Sequence, residues 1–324
     1  MKKIRWGIVG PGNIAGRFAR AVKNVACAEL AAVASRDGNR GAAFAETHEI
    51  PHVFEGYAEM AASDAVDAVY IATPHPFHKP CAELFLNAGK HVLCEKPMCV
   101  NAAEARRLQE IAARNGVFLM EAMWTRFLPA VLEAQKIIAE GQIGDIRAIE
   151  ADFCYFTEPN SVPRLYLPSL AGGSLLDVGV YGLHFAAIFL GSAPETVTAL
   201  AHTDGGVDIH TSILLKYPNG AVANITSAIG VAKPETGYIY GTNGHISFPC
   251  FYGARELTLH TAQGECRIEK DYMGNGFEEE ILEVCRCIQN GKSESHIMPL
   301  EESIAILQLM DTVRAQIGIQ YPFE

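Results

Sequence analysis

The opening fifteen residues constrain the fold more than any other stretch of the chain. Ile4-Arg5-Trp6-Gly7-Ile8-Val9 reads as a short buried strand, and Gly10-Pro11-Gly12-Asn13-Ile14-Ala15 turns it into a helix predicted to run to about Val25. The turn has the pattern G-x-G-x-x-A, a variant of the dinucleotide fingerprint. Gly10 allows the tight turn, Gly12 lets the backbone approach a pyrophosphate, and Ala15 takes the third-glycine place at the helix-strand contact. Amides at the helix start, at Asn13 and Ile14, would hold phosphate oxygens. Glycines also mark ordinary turns, so the argument rests on position: the motif follows a strand and opens a helix.

Length then asks for more than one core. At 324 residues the chain exceeds what a single core usually supports, so two domains are expected, 1–122 and 123–324. A hydrophobic content of 49% with 19% charged residues describes a packed globular protein. The formal net charge of −11 disfavours a sequence-independent nucleic-acid binder, which needs basic patches to displace counterions. No uninterrupted apolar run reaches the roughly 18 residues that cross a bilayer, and the Met-Lys-Lys start lacks a leader's apolar segment, so a cytoplasmic protein with no membrane partner is expected. Nine cysteines, an odd number, fit reduced thiols better than a disulfide framework. Cys285-Arg286-Cys287 is the only close pair and reads as helix packing, so no metal is expected.

Cofactor choice is read at the end of the second predicted strand, Leu30 to Ala34. An NAD site usually has a carboxylate there for the ribose 2′-hydroxyl, whereas an NADP site uses arginine for the 2′-phosphate. This chain offers Ser35-Arg36-Asp37, with Arg40 one turn on. A hydroxyl followed by a guanidinium suits a phosphate. NADP(H) is therefore favoured and NAD(H) remains possible, since Asp37 could serve a ribose.

Two further apolar runs end in polar clusters. Ala65 to Ala72 is a predicted strand ending at Thr73-Pro74, followed by a helix from Phe77 to Ala88 with His78 near its start. Gly89 to Cys94 re-enters the sheet and ends at Glu95-Lys96-Pro97, which puts Lys96 at the carboxyl edge of a buried parallel strand, where open α/β sheets bind ligands. Lys96 is thus a candidate catalytic group. Asn101 caps a helix to about Asn115, and Val117 to Met120 is a further strand. The alternation through residue 120 predicts a Rossmann-type doubly wound parallel sheet.

The second half changes character. After a helix to about Glu140, strands are predicted at Ile146 to Phe156, Thr196 to His202, His210 to Tyr217, Ala221 to Ile229, Gly237 to Phe248 and Glu256 to Thr261, with an Asn-Gly hairpin turn at Tyr217-Pro218-Asn219-Gly220. Short connections make this a largely antiparallel sheet in an α+β domain, and its apolar face could cover a partner in a homodimer or homotetramer. Helices are predicted at Glu278 to Gln289 and Leu300 to Gln316. A helix over Gly172 to His184 places Asp177, Tyr181 and His184 at i, i+4 and i+7, within about 60° on one face. Burying three polar groups on one stripe is costly without purpose. Asp177 and Tyr181 are candidate catalytic groups, against the alternative of a satisfied core network, and the role of His184 stays open.

Together these residues resemble the Gfo/Idh/MocA oxidoreductase family over the whole chain: the G-x-G-x-x-A turn, Ala72-Thr73-Pro74 with His78, Glu95-Lys96-Pro97, and Asp177-x-x-x-Tyr181. Met120 to Pro129 narrows the likeness to the branch with dimeric dihydrodiol and NADP-dependent D-xylose dehydrogenases. The resemblance implies catalytic roles for Lys96, Asp177 and Tyr181, and cofactor contacts from Thr73, Pro74, His78, Glu95, Lys96, Trp124 and Arg126. It implies a sugar, polyol or vicinal-diol substrate touching Lys96, Asp177 and Tyr181, with Phe156 added at the end of its strand. Hydride transfer at an alcohol carbon needs a group for the hydroxyl proton. Tyr181 is expected to be that group. A cation about 4 Å away would contribute roughly 4 kcal/mol toward its ionised form at an effective dielectric of 20. Two rivals remain: a hydrolase that retains its NAD, and a non-catalytic NADP(H) sensor.

Overall fold

The computed structural model describes residues 3–324, which cluster into two compact units: 3–124 with Met273–Ile304, and Thr125–Tyr272 with Ala305–Glu324. The first unit begins β1 (Ile4–Val9), α1 (Asn13–Val22), β2 (Ala28–Ser35), α2 (Gly38–His48), β3 (His52–Glu55), α3 (Tyr57–Ala62), β4 (Ala68–Ile71), α4 (His78–Asn87), β5 (His91–Glu95), α5 (Ala102–Asn115) and β6 (Leu119–Ala122). Its strands form one parallel sheet in the order β3-β2-β1-β4-β5-β6, the Rossmann order. Because all run the same way, their carboxyl ends share one edge. Gly10, Ser35, Ala72, Glu95 and Ala122 therefore lie in a row along that edge.

Local chemistry explains most of these elements. Asn101 accepts from the Glu104 amide and caps α5, and Gly116 ends it in the left-handed conformation that a glycine adopts cheaply. Helix α1 buries Phe18, whose ring stacks on Tyr70 at 3.9 Å and meets Trp6 edge-on at 5.3 Å. Each such buried side chain contributes about 2–3 kcal/mol. Arg5 grips Asp67 through Nε and Nη2 at 3.0 and 2.7 Å, tying β1 to the entry of β4.

The second unit comprises α6 (Pro129–Ala139), β7 (Ile146–Cys154), α7 (Val180–Leu190), β8 (Thr196–Asp204), β9 (Val207–Lys216), β10 (Val222–Ala228), β11 (Gly237–Gly241), β12 (Gly244–Phe248), β13 (Glu256–Thr261) and β14 (Gly264–Glu269). Its sheet has the order β14-β13-β12-β11-β7-β10-β9-β8 and is antiparallel except for the β7/β10 pair. Helix α8 (Phe277–Gln289) belongs to the first unit, and α9 (Leu300–Ile317) ends in the second.

The differences from the sequence expectations have local causes. The run 237–248 is a hairpin of two strands, β11 and β12, with Thr242-Asn243 between them. The β9–β10 connection is not an Asn-Gly turn of the type that needs two positive φ angles. Gly220 N–H donates to Tyr217 O at 2.9 Å, and Gly220 alone takes positive φ, +80°. The segment Pro168–Leu190 is long and apolar enough to cross a bilayer, yet 78% of its most apolar window is buried. It is a core helix. Its first turn, Leu175–Gly179, is not α but π, with the Val180 N–H donating to Leu175 O.

Candidate functional site

In the first unit the glycine turn is open where a ligand would need it. A Cβ at Gly12 would meet nothing within 4 Å, whereas one at Gly10, where φ is +88°, would fall 3.1 Å from the Thr73 methyl. So Gly10 is required by conformation, and Gly12 leaves free space above the start of α1, beside Asn13 and Ile14.

The end of β2 resolves the Asp37 question. Asp37 accepts from the Arg40 amide at 3.1 Å and so caps α2, while its own N–H donates to Ser35 Oγ at 3.1 Å. The carboxylate is engaged as a helix cap, and the cations stand at the edge. Arg40 Nε donates to Pro11 O of the glycine turn at 3.0 Å, and the exposed Arg36 guanidinium lies 5.2 Å over the Phe77 ring. Burial raises the pKa of the nearby Tyr57 phenol, and the Arg36 charge opposes that. Beside it is a cavity of about 190 Å³ lined by Arg36, Tyr57, Thr73, Pro74, Phe77 and Leu84, among others. An apolar slot with a guanidinium at its edge fits an adenine and an adjoining 2′-phosphate. The residues present therefore suit NADP(H).

The loops after β4 and β5 are stapled together by His78. Its Nδ1 lies 2.8 Å from Pro97 O and its Nε2 2.7 Å from Thr73 O. Burial lowers its pKa, and the two carbonyls, each of which would be served by a ring N–H, oppose that. Glu95 takes a hydrogen bond from the Tyr70 phenol and another from the Lys96 amide at 3.1 Å. Burial pushes its carboxyl up, and the Lys96 charge opposes that. The Lys96-Pro97 peptide is cis. Trp124 meets Phe277 edge-on at 5.5 Å, and the Arg17 guanidinium lies over both rings at 5.2 and 4.7 Å.

Behind this edge lies Glu280 of α8, wholly buried, with neither carboxyl oxygen hydrogen-bonded among the described residues. Burial, and then the neighbouring Glu95, hold its pKa well above the usual carboxylate range, so it is a neutral acid. The folded state then binds one proton more than the unfolded chain at any pH between about 4.5 and the folded value. That proton costs stability progressively, by about 1.4 kcal/mol per pH unit, as pH rises above about 4.5. Glu280→Gln removes the cost, so its melting temperature relative to wild type should climb between pH 5 and pH 8. A difference that stays constant across that range would show that Glu280 folds in the charged state.

In the second unit Asp177 sits on the π turn, nearly buried, with a donor on each oxygen. Tyr155 OH donates to Oδ2 at 2.7 Å, and Arg164 Nη1 donates to Oδ1 at 3.0 Å. Burial and the adjacent Asp177 charge push the Tyr155 phenol up, so it stays a proton donor. Tyr181, on the first turn of α7, is half-buried against Phe153 at 5.4 Å and Tyr252 at 5.7 Å. Those two rings stack at 3.9 Å, and Tyr252 OH donates to Glu235 at 3.0 Å, which fixes the wall. His184 is fully buried and takes an N–H from Arg126 Nε at 3.4 Å.

The sequence residues thus divide. Gly10, Gly12, Asn13, Ile14, Ser35, Arg36, Thr73, Pro74, His78, Glu95, Lys96 and Trp124 belong to the first unit; Arg126, Phe156, Asp177 and Tyr181 belong to the second. Phe156 is 63% exposed, and its neighbour Tyr155 is the aromatic that reaches Asp177. Strand alternation could have found Tyr155, which shares a face with Phe153. Tyr57, Phe77, Arg17 and Tyr252 were not foreseen, and Tyr57 and Tyr252 lie outside any motif.

A six-stranded sheet in Rossmann order, with a glycine turn and an arginine-edged slot at its carboxyl end, defines a dinucleotide-binding protein joined to a second, sheet-based unit. Comparison agrees. Residues 4–123 match the oxidoreductase family NAD-binding Rossmann fold, and residues 131–247 match the GFO/IDH/MocA C-terminal domain. The chain is 38% identical to trans-1,2-dihydrobenzene-1,2-diol dehydrogenase of Mus musculus and 36% identical to that of Homo sapiens, in each case over 98% of both chains. Among solved structures it is similar to KijD10, a 3-ketoreductase from Actinomadura kijaniata in complex with NADP and TDP-benzene, at TM-score 0.90 and 28% identity over 98% of each chain. It is similar also to the aldose-aldose oxidoreductase from Caulobacter crescentus complexed with glycerol, at TM-score 0.90 and 26% identity over 98% of each. The chain belongs to the Gfo/Idh/MocA oxidoreductase family.

Proposed function

We propose that this protein is an NADP(H)-dependent dehydrogenase that transfers a hydride between nicotinamide and a hydroxyl-bearing ring carbon of a trans-dihydrodiol or cyclic sugar, with NAD(H) as a poorer cofactor. The observation that carries the reading is the 38% identity, spanning 98% of both chains, to an enzyme named for oxidising such a diol. The Ser35-Arg36-Arg40 edge and the engagement of Asp37 as a helix cap support the phosphate-bearing cofactor.

In this reading Gly10, Gly12, Asn13 and Ile14 take the pyrophosphate, and Ser35 and Arg36 take the 2′-phosphate. Thr73, Pro74, His78, Glu95, Lys96, Trp124 and Arg126 complete the cofactor contacts. When bound, the cofactor supplies or accepts the hydride. Tyr181 takes the hydroxyl proton as the alcohol carbon loses its hydride, and returns it in the reductive direction. Lys96 provides the positive charge that polarises the carbonyl in the reductive direction. Asp177 holds a substrate hydroxyl, its geometry set by Tyr155 and Arg164. The stacked Phe153 and Tyr252 beside Tyr181 favour a ring with an apolar face over an open-chain polyol.

The test is a panel of trans-dihydrodiols, cyclic sugars and acyclic polyols with NADP⁺ and NAD⁺, followed by nicotinamide absorbance. NADPH formation with cyclic substrates, and at least tenfold lower kcat/KM with acyclic ones, is expected. No absorbance change with any alcohol would contradict the redox reading. We also propose a homodimer in the cytoplasm. Nine free thiols suit a reducing compartment, and the outer sheet face exposes Leu200, Leu214 and Val222. Light scattering giving a mass near 35 kDa would contradict the dimer.

A further inference from the structure

The turn that carries Asp177 is unusual, and its cause is buried beneath it. A π turn is poorly populated on its own and persists where the surroundings over-determine it. Here it is held from two strands. Asp208, near the start of β9 and fully buried, accepts three hydrogen bonds on Oδ2: from Ser174 Oγ at 2.7 Å, from the Leu175 amide at 2.7 Å and from Thr211 Oγ1 at 2.8 Å. Ser174 Oγ is tied in turn to Ser227 of β10, 3.0 Å from its hydroxyl and 3.2 Å from its carbonyl.

The approach leaves no room for adjustment. A Cβ on Gly173, at φ +111°, would fall 2.1 Å from Asp208 Oδ1, so only glycine passes there. Past the turn, a Cβ on Gly179 would come within 3.0 Å of Ser227 Oγ, and one on Gly182 within 2.4 Å of Ile225. The chain is pinned to β9 and β10 before Leu175 and pressed on β10 after Val178. The extra residue between those points is accommodated by widening the turn, and Asp177 lies on the widened part.

We infer that Asp208 is a positioning residue for the reaction: by anchoring Ser174 and the Leu175 amide it fixes the π turn and so aims the Asp177 carboxylate. The inference rests on the reading of Asp177 as a substrate contact. Burial raises the Asp208 carboxyl, while its hydrogen bonds oppose this, and its donors are all neutral groups. The other group that senses its charge is Tyr321, whose phenol donates to Gly172 O at 3.0 Å and braces the same loop.

The test is a cycle on the full-length protein with NADP⁺ and a trans-dihydrodiol: Asp177→Asn, Asp208→Ala, the double variant, and Asp208→Asn. Asp208→Ala is expected to lower kcat by roughly 30- to 100-fold, the scale of an ångström of misplacement, with the NADPH dissociation constant unchanged. Asp208→Asn, which can keep an oxygen where the three donors converge, should recover most of that loss. In the Asp177→Asn background, Asp208→Ala should cost less than threefold, because its effect passes through a carboxylate already removed. An undiminished cost in that background would show a purely structural role and overturn the inference alone. Wild-type-like turnover of Asp177→Asn would overturn the functional reading of Asp177 and the inference with it. If Asp208→Ala does not fold, Ser174→Ala, which removes one of the three bonds, replaces it: about fivefold loss on its own and none with Asp177→Asn supports the role, and equal losses overturn it.

Discussion

Replacing Lys96 by methionine is expected to lower kcat by a hundredfold or more while the NADPH dissociation constant stays within about threefold of wild type. The size is the upper part of the range for losing a group that assists proton transfer. Methionine keeps most of lysine's unbranched apolar stem and removes the ammonium group. The loop should survive the change, since its brace is main-chain and neighbouring chemistry: His78 between Thr73 O and Pro97 O, and Glu95 on the Lys96 amide and Tyr70. Steady-state turnover together with fluorescence titration of NADPH checks both halves. Near-wild-type turnover would remove Lys96 from the chemistry, and loss of NADPH binding with unchanged single-turnover rate would make it a cofactor ligand only.

Arg36→Ala is expected to raise the KM for NADP⁺ by about 10- to 100-fold and to leave that for NAD⁺ within about threefold. A hydrogen bond to a charged group is worth roughly 1.5–3 kcal/mol, and this guanidinium stands exposed at the edge of the adenine-sized slot. Arg40 should retain part of the preference, because its Nε is committed to Pro11 O and leaves its other nitrogens available. Equal losses for both cofactors would place Arg36 on the adenine ring instead, through the same face that covers Phe77.

What the sequence disclosed is local, and what it withheld is long-range. β1 with its glycine turn, the strand that delivers Lys96, and the Asn101 cap are each written in a few adjacent residues. The strands β3 and β14 went unseen because they are edge strands: His52 to Glu55 and Gly264 to Glu269 bury no residue outright, so they show no apolar alternation. Helix α2 buries only Gly41 and Ala45 and starts at a glycine, which masks its period. The stripe of Asp177, Tyr181 and His184 assumed uniform α spacing. The π turn breaks that assumption through Asp208, thirty-one residues downstream of Asp177 in the sequence. Asp37, read from the sequence only as a possible ribose ligand, is engaged as the cap of α2 by the Arg40 amide. Glu280 reaches the back of the nucleotide edge only because α8 packs there, and no local pattern announces it.

The most direct measurement of the central claim is the fate of the carbinol hydrogen. With trans-1,2-dihydrobenzene-1,2-diol deuterated at its carbinol carbons and with NADP⁺, NMR of the product should find one deuteron at nicotinamide C4 for each diol oxidised. Diol consumption without deuterium on the nicotinamide, or deuterium appearing there only transiently with no net NADPH, would contradict the dehydrogenase account.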